Sequence, residues 1–191
     1  MRRLIISDIH LGPIFQREIP LISLLRQDWD EVIVAGDFFE LLGFQTKKEI
    51  EKQFKCILTL LSKQNTVFLN GNHDPIYTLN DYSFNLSNGK KVLIVHGHQF
   101  DTPTSSFYVK FNLLFYKIFG FEIRRIFRFF VSYKSLVIKT RDYYKDKCDI
   151  LIMGHTHRPM KDTDYYNCGD WIENCSYIII ENNDISLVVI K

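Results

Sequence analysis

Apolar positions in this chain recur at two periods, and the alternation between them sets out its elements. Residues 3–7 form a short apolar run that reads as a buried strand; Ile19, Ile22 and Leu25 fall at helical spacing within residues 18–27; residues 32–35 read as a second strand. This is a β-α-β opening. Over residues 47–62, Ile50, Phe54, Ile57, Leu58 and Leu61 follow one helical face, and residues 66–69 read as the next strand. Past the turn dipeptide Asn88-Gly89, strands are predicted over residues 91–95, 149–153, 177–180 and 186–190. Residues 102–147 break the pattern: they lack strand alternation, are rich in Phe, Tyr, Lys and Arg, and read as helices inserted between two core strands.

Length turns this string of elements into a single domain spanning 1–191, with 102–147 as a helical cap within it, because 191 residues support one substantial core rather than two. The net charge of +2 does not mark a generic binder of polyanions, so nucleic acid is not an expected partner and any electrostatic preference must be local. It is local: the insertion carries ten basic residues against three acidic ones, a net +7. Cys56, Cys148, Cys168 and Cys175 have neither metal-knuckle nor disulfide-scaffold spacing, which fits a reduced, cytosolic setting. The opening run of Leu4, Ile5 and Ile6 is too short for the apolar core of a signal peptide.

Polar chemistry gathers where the predicted strands end. Asp8-Ile9-His10 follows the first strand, Gly36-Asp37 the second, Gly71-Asn72-His73-Asp74 the third, His96-Gly97-His98 a later one, and Gly154-His155-Thr156-His157 another. All six histidines lie in these loops. A single Asp or His after a strand is ordinarily a cap or a surface residue, but five such loops are hard to explain as scattered capping. Mixed oxygen and imidazole donors without clustered cysteines suit a catalytic site for manganese, iron or zinc rather than a structural zinc knuckle.

These blocks, D-x-H, G-D, G-N-H-D, H and G-H-x-H in order from Asp8 to His157, resemble those of the calcineurin-like metallophosphoesterases. The resemblance implies a four-layer α/β/β/α sandwich of the α/β class. It also implies two divalent metal ions, one on Asp8, His10, Asp37 and His157, the other on Asp37, Asn72, His96 and His155, with Asp37 shared. His73 would contact phosphate and donate a proton to the leaving oxygen, and Asp74 would orient it. Glu40 and His98 are left without a role.

Within that family the chain most resembles the UDP-2,3-diacylglucosamine pyrophosphohydrolases of lipid A synthesis. The likeness rests on Ser7-Asp8-Ile9-His10-Leu11-Gly12, on the insertion after His96-Gly97-His98-Gln99-Phe100-Asp101, and on Tyr166-Asn167-Cys168-Gly169-Asp170-Trp171. It implies manganese, a lipid-linked nucleotide substrate cleaved to UMP and a lipid sugar phosphate, and peripheral attachment to the cytosolic face of the inner membrane. The chain departs from the best-known branch in having His73 where that branch has arginine. In the insertion, Arg124, Arg125 and Arg128 stand among phenylalanines and isoleucines in a basic amphipathic pattern suited to a membrane interface. With Lys134 and Lys139 they are the expected substrate-binding residues. A soluble nucleotide phosphodiesterase or nuclease is the alternative, and a non-catalytic scaffold the weaker one.

Overall fold

The computed structural model describes residues 1–101, 109–111, 113–114 and 134–190. Among the described residues ten strands form two five-stranded sheets. The first has the order β10-β9-β1-β2-β3 and contains β1 (Arg2–Ile6), β2 (Glu31–Val34), β3 (Thr66–Phe68), β9 (Ser176–Glu181) and β10 (Asp184–Val189). The second has the order β4-β5-β6-β8-β7 and contains β4 (Asp81–Asn85), β5 (Lys91–Val95), β6 (Ile150–Met153), β7 (Met160–Lys161) and β8 (Tyr165–Asn167). The helices among the described residues include α1 (Glu18–Leu25), α2 (Lys47–Gln53), α3 (Lys55–Ser62) and α4 (Lys134–Tyr144), with a 3-10 turn at His98–Phe100; residues 109–111 and 113–114 are also helical.

The strand pleat explains the layering. Leu4, Ile6, Val32 and Val34 point to one side, into a core with Leu21, Leu24, Ile50, Phe54, Ile57 and Leu61 of the helices. Ile5, Ile33 and Ala35 point to the other side and meet Val92, Ile94, Ile150 and Ile152 between the two sheets. Leu93, Val95, Leu151 and Met153 alternate outward again, against Val137 and Tyr144 of α4. The central strands are thus apolar on both faces, as buried parallel strands must be. The order helix, sheet, sheet, helix is the four-layer α/β/β/α sandwich expected.

Several boundaries differ from the sequence reading. The helical stretch 47–62 is two helices, because Phe54 leaves the helical region (φ −104, ψ 31). The buried face survives the break, since the Phe54 N–H still reaches Ile50 O at 2.9 Å. A capping box fixes the start of α2, with Thr46 and Glu49 exchanging side-chain and backbone bonds. In α1 the buried face is Leu21, Leu24 and Leu25, and Ile19 is 80% exposed. The apolar residues there surround most of the circumference, so spacing alone does not choose a face. Strands β4, β7 and β8 are short, polar or at an edge, and the apolar pattern did not mark them. Within the insertion, α4 is helical as expected; Arg124, Arg125 and Arg128 lie outside the described residues. Lys134 and Lys139 are exposed on α4. Among the described residues no helix is long and apolar enough to cross a membrane.

Candidate metal centre

β1 runs parallel to β2 and β2 to β3, while β5 runs parallel to β6, so the carboxyl ends of these strands open toward the same kind of loop. The loops then zip together beyond the strands. The Asp8 N–H donates to Gly36 O at 3.2 Å, the His10 N–H to Asp37 O at 2.9 Å and the Gly154 N–H to His96 O at 3.2 Å. The glycines leave room for the functional side chains. A Cβ on Gly36 (φ +87) would lie 2.5 Å from His96 Nδ1, and one on Gly154 would lie 2.5 Å from Asp8 Oδ2.

The seven residues predicted as ligands are brought together. Asp8, His10 and His157 form one group of potential donors, and Asp37, His96 and His155 another, with the donor atoms of each group within 4.8 Å of one another. Asn72 joins the second group, its Oδ1 lying 3.1 Å from His96 Nε2. Asp37 stands between them. Its Oδ1 accepts the His73 backbone N–H at 2.9 Å, while its Oδ2 lies 3.6 Å from His10 Nε2 and 3.3 Å from His96 Nε2. Asp8 is divided in the same way: Oδ2 accepts from Ser7 Oγ at 2.5 Å and from the His155 N–H at 2.8 Å, and the buried Oδ1 faces His157 Nε2 at 3.2 Å. That Asp8 Oδ1 has no hydrogen-bond partner among the described residues. A buried carboxylate oxygen without a donor, aimed at two imidazole nitrogens, is what a cation site requires.

The electrostatics agree. Burial would raise the pKa of Asp37, but His96, His73 and His10 around it hold its carboxyl well below the usual carboxylate range. Burial would lower His96, yet the Asp37 charge and hydrogen bond push it up to about 9. For His155 burial wins, reinforced by the charge of His96, and its pKa falls to about 4.

The predicted partner of His73 needs correction. Asp74 does not orient that ring; its oxygens accept from the backbone N–H groups of Asp37, Phe38, Phe39 and Gly71 at 2.9 to 3.3 Å. It holds the turn that carries Asp37, and burial together with the Asp37 charge pushes its pKa up to about 7. The partner of His73 is Glu40, whose Oε1 and Oε2 lie 2.8 and 2.9 Å from His73 Nδ1. Glu40 Oε2 also faces His10 Nδ1 at 3.2 Å. A carboxylate three residues after Asp37 was visible in the sequence, but nothing there distinguished a buried partner from a surface acid. Asp170 was likewise unassigned; its Oδ2 lies 3.4 Å from His157 Nδ1 while its Oδ1 caps the turn at Ile172, Glu173 and Asn174. His98, also left without a role, packs its ring 5.3 Å from that of His96.

Residues 1–175 match the family described as the calcineurin-like phosphoesterase superfamily domain. The chain belongs to this superfamily. It is a metal-dependent phosphoesterase, and the Asp, Asn and His groups just described could hold the divalent metal that the family binds. Among curated proteins it is similar to the UDP-2,3-diacylglucosamine hydrolase of Psychromonas ingrahamii, at 24% identity over 99% of this chain and 97% of the relative. Similar solved structures include Vps29 of Entamoeba histolytica complexed with zinc (TM-score 0.56, 17% identity, 100% of this chain and 98% of that one). A metallophosphoesterase of Sphaerobacter thermophilus is also similar (TM-score 0.56, 14% identity, 100% and 89%). At these identities the structural likeness concerns the fold.

Proposed function

We propose that this phosphoesterase holds two divalent ions, manganese by preference, and hydrolyses the pyrophosphate of a lipid-linked nucleotide such as UDP-2,3-diacylglucosamine, releasing UMP and a lipid sugar phosphate. The observation that carries the two-ion reading is Asp37 Oδ2, set between the Nε2 atoms of His10 and His96. Asp8, His10, Asp37 and His157 would hold one ion, and Asp37, Asn72, His96 and His155 the other. When bound, such a pair supplies positive charge to the phosphoryl oxygens and acidifies solvent between the ions.

The remaining work falls to the protein. Glu40 binds Nδ1 of His73, which leaves Nε2 as the ring nitrogen able to meet a phosphoryl or leaving oxygen and pass it a proton. Asp74 keeps the Asp37 turn closed against solvent through its backbone bonds. The lipid assignment is supported by the similarity to the Psychromonas hydrolase along nearly the whole chain and by the +7 insertion with its interleaved aromatics. Arg124, Arg125 and Arg128, with Lys134 and Lys139, would meet anionic headgroups at the cytosolic membrane surface. A scaffold would not need the complete donor set kept here.

The test is a substrate panel with Mn²⁺ and product identification by mass spectrometry: UDP-2,3-diacylglucosamine in mixed micelles, a soluble aryl phosphodiester and single-stranded DNA. Release of UMP from the lipid in preference to the others is expected. Preferential DNA cleavage, with steep salt dependence, would replace the lipid reading by a nuclease. No turnover of any substrate by metal-loaded protein would favour the scaffold.

A further inference from the structure

The loop after β5 contributes a second group besides His96. From His96 the chain passes Gly97, in the left-handed region at φ +102, into the 3-10 turn His98–Phe100, and the Asp101 N–H closes that turn on His98 O at 3.0 Å. The turn delivers the Asp101 carboxylate to His155, with Oδ2 3.0 Å from Nε2.

Comparison of the four imidazoles of the centre gives this contact its meaning. His10 has Glu40 on Nδ1, His96 has the Ala35 carbonyl on Nδ1 at 2.9 Å, and His157 has Asp170 on Nδ1. Each of these therefore turns Nε2 toward Asp8 or Asp37. His155 is reversed: its Nε2 is the nitrogen engaged by a carboxylate, and Nδ1 is the one left for the Asp37–His96 group. A ring hydrogen-bonded through one nitrogen as donor keeps the lone pair on the other.

We infer that Asp101 is the positioning residue of His155: by accepting the Nε2–H it fixes the lone pair on Nδ1 and sets the affinity of the ion shared by Asp37, Asn72, His96 and His155. This rests on the two-ion reading above. The Asp101 side chain is 40% exposed and immediately precedes the insertion.

The experiment compares full-length, metal-stripped wild type with Asp101→Leu, which has no acceptor, and Asp101→Asn, whose amide oxygen still accepts. Mn²⁺ binding is followed by calorimetry, and the tautomer of His155 by long-range ¹H–¹⁵N spectra of the metal-free proteins. Expected are two ions in wild type, one of them weakened about 10–100-fold in Asp101→Leu with the other unchanged, and near-normal binding in Asp101→Asn. The His155 Nε2–H signature should be present in wild type and Asp101→Asn and lost in Asp101→Leu. Unchanged binding by Asp101→Leu, equal weakening of both ions, or failure of Asp101→Asn to retain binding would overturn the inference. Wild type that takes up no Mn²⁺ would instead overturn the two-ion reading beneath it.

Discussion

Two imidazoles depend on Glu40, and Glu40→Gln exposes that dependence. The carboxylate is 3% exposed and meets His73 Nδ1 with both oxygens and His10 Nδ1 with Oε2. Glutamine fills the same space but presents one acceptor oxygen and one NH₂ donor; even with the oxygen at the Oε2 position, which both Nδ1 atoms reach, the NH₂ takes the place of Oε1 against His73 Nδ1 and the negative charge is lost. Burial works against ionisation of Glu40, yet the hydrogen bonds from His10 and His73 pull its pKa from 4.5 to about 2. That gap corresponds to about 3 kcal/mol of stability. Because the folded pKa is depressed, the stabilisation is fully present above pH 4.5 and is lost as the pH falls through about 2. Metal-stripped Glu40→Gln at pH 7 should therefore melt about 6–12 °C below wild type, and the gap should narrow once the pH drops below 4.5. With Mn²⁺ restored, turnover of an aryl phosphodiester should fall about 10–100-fold. Thermal unfolding by circular dichroism across pH and a steady-state assay measure both. A variant with wild-type melting at every pH and unchanged turnover would refute the dependence of the two rings on this carboxylate.

Asp74→Ala strands four backbone N–H groups, three at the Asp37 turn and that of Gly71, each worth about 1–3 kcal/mol when left without an acceptor; melting and Mn²⁺ uptake should fall together, whereas loss of turnover alone would restore the role first expected of it. His96 is held protonated up to about pH 9 in the metal-free protein by Asp37, although burial opposes it. Metal must displace that proton, so Mn²⁺ affinity should rise from pH 6 to 8 and calorimetry in buffers of different ionisation heat should show proton release; pH-independent affinity would contradict it. Thr46→Ala removes the cap of α2, far from the chemistry, and should cost about 1 kcal/mol, or roughly 2–4 °C, with turnover unchanged.

The layers and the centre were legible for different reasons. Runs such as Leu4-Ile5-Ile6 and Val32-Ile33-Val34 are apolar at every position because both faces of these strands are covered, so they announced themselves without context. The blocks at their ends were legible because each holds its donors within three or four residues of chain. Glu40 and Asp74 were harder. Both are carboxylates near the centre, and which one reaches a histidine depends on how the loops after β2 and β3 fold over one another, a relation between residues 33 to 37 positions apart. Asp101 and Asp170 pose the same difficulty, since their histidines lie 54 and 13 positions away. β4 alternates as an edge strand does, but with only Tyr82 and Phe84 as apolar positions the pattern is too short to have marked it.

Backbone conformation at the centre joins these observations. Asp8, His10, Asp37, His155 and His157 all have positive φ, between 50° and 65°. Non-glycine residues there cost about 1–3 kcal/mol each, and glycine would relieve the strain while removing the donor. The conformation is enforced by bonds that run between loops: His10 N–H to Asp37 O, Asp37 N–H to Asp74, and His155 N–H to Asp8. His10, Asp37 and His155 are thus clamped by another donor residue or by a supporting carboxylate, while the Asp8 N–H is held by the Gly36 carbonyl and the His157 carbonyl by Asn174 Nδ2. The strain of one loop is borne by its neighbours, and bonds within the protein hold the donors together. It follows that replacing Asp8 or Asp37 removes more than a ligand: it also releases the backbone of the loop opposite, so losses at the two positions should be far from additive.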